Sequence, residues 1–145
     1  MSTHATIAIS KGSTINSIYV YSDGYLSYIV PILLNHYNTT EQVNELVSLG
    51  DCSFIGSKIK GSETHSFLEP DHDTTIAYHR DGGEDLNIKT FEITTNNLNH
   101  ILSSLHKGVN YVYIFNTSDN TWYIHQNDLL IKLIEYFPAS KLIKS

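Results

Sequence analysis

Five consecutive residues, Tyr111-Val112-Tyr113-Ile114-Phe115, are apolar or aromatic at every position. Side chains alternate between faces along a strand, so a strand of this kind has no face suited to water. It must run inside a sheet covered on both sides, or lie where a second chain covers it. The second option makes a homodimer an expectation.

The flanking pattern says what surrounds that strand. Residues 6–9 and 15–21 read as strands, the second alternating Ser17, Tyr19 and Tyr21 with Ile18 and Val20. Lys11-Gly12-Ser13 supplies the turn of a hairpin. Leu26, Ile29, Val30, Leu33, Leu34 and Tyr37 share one helix face, with Pro31 tolerable if the helix starts near Ser27 or Tyr28. Thr39 and Gln42 have capping-box spacing, Val43, Leu46 and Val47 form a buried stripe, and Gly50 stops that helix.

Residues 52–73 show no periodicity and read as a long loop; 74–79 and 88–93 read as strands, with a polar loop at 80–85. Leu98, Ile101, Leu102 and Leu105 make a helix capped by Thr95 or Asn96 and ended by Gly108. Residues 111–115 and 121–125 form a second hairpin. A last helix, capped by Asn127 or Asp128, carries Leu130, Leu133, Ile134 and Phe137 and ends at Pro138. Hairpins outnumber βαβ units, so the expected fold is α+β. It is a mainly antiparallel sheet of about five or six strands packed with about four helices, in a single domain over residues 1–145.

Charge bounds the partners. Nine Lys+Arg stand against fifteen Asp+Glu, a formal charge of −6, and Arg80 is the only arginine. A phosphate-tracking surface needs many cations, so direct nucleic-acid binding is disfavoured. The N-terminus has no basic region followed by a long apolar run, and no apolar stretch approaches membrane-spanning length. The single cysteine, Cys52, cannot form an internal disulfide and reads as a small apolar filler. A cytoplasmic location is expected.

Chemistry-bearing residues gather in two places. His65, Asp71, His72, Asp73 and His79 are the densest set of metal-ligating types, though without His-Glu-x-x-His or another fixed helical spacing. Tyr78, His79, Arg80, Asp81, Glu84 and Asp85 form the most polar segment, with Tyr21 and Tyr25 as further aromatic candidates for binding. Arg80 can fix its own loop by pairing with Asp81, Glu84 or Asp85, or grip a carboxylate or phosphate with its planar fork. Nucleophile-elbow, phosphate-loop and dinucleotide-loop motifs are absent.

The motifs also come in a recognisable order. After Met-Ser-Thr at the start come Ile-Tyr-Val-Tyr-Ser-Asp-Gly-Tyr (18–25), Ile-Leu-Leu-Asn-His-Tyr-Asn (32–38) and Leu-Val-Ser-Leu-Gly-Asp (46–51). Tyr-His-Arg-Asp-Gly-Gly-Glu-Asp (78–85) and a terminal strand with Trp122-Tyr123 complete the set. This order resembles a family of small phage and prophage proteins over residues 2–124. The chain departs from that family's pattern at His4, at Val20-Tyr21-Ser22 (Cys-His-Trp in the family) and at Gly82. The resemblance implies an accessory protein of a bacterial virus, and the departures imply binding rather than catalysis.

The leading expectation is a host-takeover or counter-defence inhibitor that occupies a bacterial host protein, such as a defence nuclease, in the host cytoplasm. The alternatives are a protein that sequesters a small nucleotide signal, and a metal-dependent hydrolase built on the His65–His79 set. No cofactor is expected.

Overall fold

A computed structural model describes residues 3–94 and 96–136. Among them, eight strands form one mixed sheet and five helices pack on it. β1 (Ala5–Lys11) and β2 (Thr14–Val20) form the expected hairpin, with Gly12 at φ +60 in its two-residue loop. α1 (Leu26–His36) and α2 (Thr40–Ser48) follow. Then come β3 (Cys52–Phe54), β4 (Ile76–Ala77), α3 (Tyr78–Gly82) and β5 (Lys89–Glu92). α4 (Leu98–Leu105), β6 (Tyr111–Asn116), β7 (Thr121–Gln126), β8 (Leu129–Lys132) and α5 (Leu133–Tyr136) complete the described chain.

The strand order is β4-β3-β2-β1-β6-β7-β8, with β5 also on β2. β1 pairs in parallel with β6, and β2 with β3; the other pairs are antiparallel. The expectation of α+β holds, with more strands and one more helix than expected. β6 lies inside the sheet, so its run of five apolar residues is covered on both faces within this chain. Tyr113 and Phe115 enter the core under α1 and α2, while Val112 and Ile114 enter a second core under α4.

Local chemistry explains most elements. Thr39 Oγ1 accepts the Gln42 N–H at the start of α2, and Gly50 at φ +79 follows its end. α1 begins at Leu26, a residue or two earlier than expected, so Pro31 lies inside the helix and withholds the hydrogen bond that the Ser27 carbonyl would otherwise accept. α4 buries Ile101, Leu102 and Leu105; each such side chain contributes about 1.5–3 kcal/mol relative to exposure. Its N-cap is Asn97 rather than Asn96, and Thr95 lies outside the described residues. Asn97 ties the turn together by donating to Glu92 O and accepting from Thr94 N.

Three expectations are corrected. The strand expected at 74–79 stops at Ala77, and Tyr78–Gly82 is a short helix. The Asp81 carboxylate accepts the N–H of Ala77, the helix N-cap residue, which turns the chain out of the strand. The loop expected at 52–73 begins as strand β3, paired with β2 and β4. The last helix starts only at Leu133, because Asn127 and Asp128, at φ +52 and +63, form a two-residue hairpin turn that makes 129–132 a strand. Phe137, expected on the stripe of that helix, and Pro138, expected to end it, lie outside the described residues.

Candidate functional site

β2 carries two different neighbours end to end on one edge. β5 pairs with Thr14–Ser17, and β3 meets β2 only at Val20. Between them the Tyr19 N–H has no strand opposite it. Asp51 fills the gap: one carboxylate oxygen accepts Tyr19 N–H at 2.8 Å and the other accepts the Asn87 side-chain amide at 2.9 Å. The Asp51 N–H in turn donates to Asn87 O. A strand junction and a loop are thus pinned by one side chain, and a cleft opens above it.

The inner part of this cleft is a cavity of about 160 Å³. Its floor is the α4-facing side of the sheet, with Thr6, Ser17 and Tyr19; its wall is the C-terminal end of α4, with Ser104, Leu105 and Lys107. Lys89 enters from β5, directly opposite Ser17 in the β2–β5 register. The outer part, about 620 Å³ and open, is lined by Tyr21, Tyr78, Glu84, Asp85, Leu86 and Asn87. Tyr21, Asp51 and Asn87 line both parts, so they form one cleft.

The tyrosines make a continuous wall. Tyr19 and Tyr21 have ring centroids 4.3 Å apart, and Tyr21 meets Tyr78 edge-to-face at 5.2 Å. Phe67 backs Tyr78 at 5.1 Å. Burial, and then the Asp51 charge, push the phenols of Tyr19 and Tyr21 above their ordinary value. Both therefore stay protonated donors at neutral pH, and Tyr19 uses its proton on Gly108 O at 2.8 Å.

The charges are segregated. Glu84 and Asp85 lie along the outer part and Lys89 and Lys107 at the inner end, with Asp51 between them lining both. Among the described residues, neither lysine has a carboxylate within 4 Å, and neither do Glu84 and Asp85 have a cation. The cleft is bipolar.

Of the residues singled out in the sequence, Tyr21, Tyr78, Glu84 and Asp85 are brought together here. Tyr25 is not; it flanks α1 and packs on Tyr28 at 5.9 Å. His79 Nδ1 lies 2.7 Å from Glu84 O and fastens the turn after α3. Arg80 and Asp81 are structural. The guanidinium donates to both Asp81 oxygens, at 2.9 and 3.0 Å, and to the carbonyls of Ile59 and Thr75. Its fork is thus directed at its own chain, strapping the 55–75 segment to α3. Burial works to raise the Asp81 carboxyl, but the Arg80 fork and the Ala77 N–H outweigh it and hold it below its ordinary value.

The five metal-ligand types do not converge. The His65 side chain is buried, accepting the Asp71 N–H at Nδ1 and placing Nε2 3.3 Å from Asp81. The Asp71 carboxyl, held low first by the Ser62 N–H, also accepts the Ser62 hydroxyl. Asp73 pairs with Lys58, and His72 is exposed. Among the described residues no three His, Cys, Asp or Glu side chains are grouped as metal ligands. Cys52 is fully buried beneath the seam, and burial pushes its thiol up to about 12, so no thiolate forms at neutral pH.

Sequence reasoning missed Ser17, Asp51, Asn87, Lys89 and Lys107. A trace of them was visible. Ser17 follows core residue Ile15 on one face of β2, and Lys89 precedes Phe91 on the matching face of β5. A face that is apolar at one end and polar at the next position marks where the core stops and a cavity begins. No helix of the described chain is long and apolar enough to cross a membrane. No protein family, curated protein or solved structure matches the chain.

Proposed function

We propose that this protein acts by holding a small ligand of the nucleotide class in the Tyr21–Tyr78 cleft, as a sequestering accessory protein. The bipolar cleft supports this reading. It offers an aromatic wall on which a base can stack, carboxylates and an amide to receive ribose hydroxyls and base N–H groups, and two uncompensated lysines for an anion. Binding rather than catalysis is favoured because the groups with catalytic potential elsewhere, Arg80, Asp81, His65 and Asp71, are engaged with their own chain. The phage-type resemblance sets the context of a bacterial host cytoplasm, where removing a nucleotide signal blunts a defence response.

A thermal-shift screen with linear, cyclic and ADP-ribose-type nucleotides tests this. Ligand at about 100 times its Kd adds about 2.7 kcal/mol. For a chain of this size that raises Tm by roughly 5–10 °C. No shift across the panel overturns the reading.

A second reading, occupation of a host protein, rests on a different surface. β8 is an edge of the sheet and exposes Leu129 and Leu130. Beside it, Ile93, Leu98, Leu102, Ile114, Tyr123 and Leu130 line an apolar groove of about 330 Å³. An added strand on β8 with side chains in that groove is a recurrent docking mode. Under this reading, a host protein co-purifies stoichiometrically with the wild type and is lost with Leu130→Lys, while nucleotide binding is unchanged. Equal recovery with Leu130→Lys removes it.

A further inference from the structure

We propose that the inner cavity is a site for a single terminal phosphate, so that ligands enter the cleft phosphate first. This rests on the small-ligand reading above and assigns the ligand class as nucleoside monophosphates.

Four observations carry it. First, Ser17 is 3 % exposed and lines the cavity. A serine hydroxyl is a donor of the kind that a ligand phosphate oxygen accepts. Second, Lys89 and Lys107 reach the same cavity from two different elements, β5 and the turn after α4, with no carboxylate within 4 Å of either. In a chain of net charge −6, two lysines without an ion-pair partner lining one cavity, against the single carboxylate of Asp51, form a local reversal of sign.

Third, the negative end of α4 is shielded. Leu105 O accepts the Thr6 hydroxyl at 2.7 Å and Gly108 O accepts the Tyr19 hydroxyl at 2.8 Å. These two carbonyls already accept a donor, and their repulsion of an anion is reduced. Fourth, the balance of charge selects one phosphate. A terminal phosphate carries about −1.5 to −2 at neutral pH, and the two ammonium groups that line the inner cavity outnumber its one carboxylate, Asp51, whose oxygens are already bonded to the Tyr19 N–H and the Asn87 amide. Each further phosphate has no lysine left to meet and extends toward Glu84 and Asp85. The wider outer part then receives ribose and base, the base lying against the outer faces of Tyr21 and Tyr78. Those rings touch each other edge-to-face, so they form a one-sided platform and not a slot.

The test uses the full chain in isothermal titration with adenosine, guanosine, cytidine and uridine 5′-monophosphates, the matching nucleosides and triphosphates, and inorganic phosphate. The expected result is that at least one monophosphate binds at least tenfold tighter than its nucleoside and its triphosphate. The double substitution Lys89→Gln/Lys107→Gln is expected to erase that tenfold preference while leaving nucleoside affinity unchanged. Lys89→Arg/Lys107→Arg restores it, and a Tm within 2 °C of wild type shows that the fold survives. Nucleosides binding as tightly as monophosphates, or a preference unaffected by the double substitution, overturns the phosphate site but leaves the small-ligand reading standing. Lysine-dependent binding of inorganic phosphate with no gain from any nucleoside keeps the phosphate site and overturns the nucleotide reading. No binding by any probe overturns both.

Discussion

Arg80→Lys keeps the charge and removes the geometry, and so measures what the single arginine does. The wild-type guanidinium makes four contacts: two to the Asp81 carboxylate and one each to Ile59 O and Thr75 O. A lysine ammonium is a compact donor that reaches the carboxylate or the carbonyls, not both sets. Hydrogen bonds to charged groups are worth about 1.5–3 kcal/mol, and the Asp81 side chain is almost fully buried. Losing half of the set should lower stability by about 2–3 kcal/mol, and Tm by roughly 5–10 °C. Urea unfolding at neutral pH measures the first figure. The pH dependence supplies a signature. The Asp81 carboxyl is held below its ordinary value in the folded state. Its contribution is therefore complete above the unfolded pKa of about 3.9 and is lost as pH falls through the folded value. The Arg80→Lys protein should show a shallower loss of stability on acidification below about pH 4. A variant within about 0.5 kcal/mol of wild type, the usual range for surface substitutions, would refute the strap.

Three further outcomes follow from separate contacts. His106 Nε2 and His125 Nδ1 lie 2.6 Å apart, and burial, then the neighbouring imidazole, hold His106 below its ordinary value. Stability from the neutral His106 imidazole is full above about pH 6.5 and falls with pH below it; His106→Gln should flatten the stability profile between pH 7 and 5.5, read by thermal melts. Gly56→Ala puts a methyl group 2.3 Å from the Asp73 carbonyl oxygen, so it should destabilise by about 2 kcal/mol or more in urea unfolding. Tyr37→Phe removes the buried hydroxyl that donates to Gly56 O at 2.7 Å and meets Thr75 Oγ1, with an expected loss of about 1–2 kcal/mol; an unchanged midpoint would show that water replaces it.

The α1, α2 and α4 faces and both main hairpins were legible because each is set by residues within a few positions of one another. The parallel pairing of β1 with β6 was not, since those strands are about a hundred residues apart and no local pattern encodes their order. Asn127-Asp128 misled for a chemical reason: the same side chains cap helices and adopt positive φ, and here the second property prevailed. At the cleft, Tyr21, Tyr78, Glu84 and Asp85 of the outer part stood out in the sequence. The members that form its inner end did not, because Lys89, Lys107 and Ser17 look like ordinary surface and strand residues until the sheet places them around one cavity. Arg80 drew notice for its rarity, and the structure directs it inward.

The seam on β2 has a consequence for how this protein can change. β5 is registered by its own ladder on Thr14–Ser17, and β3 by Val20, so neither strand depends on the other's position. The segment between α3 and β5, residues 83–88, spans that seam and supplies Glu84, Asp85, Leu86 and Asn87 to the cleft. Its length and composition can be exchanged without shifting a strand, provided Asn87 or a substitute still meets Asp51. The molecule thus behaves as a fixed frame with one replaceable panel. Grafting alternative 83–86 segments onto it is a direct way to retune which ligand the cleft accepts.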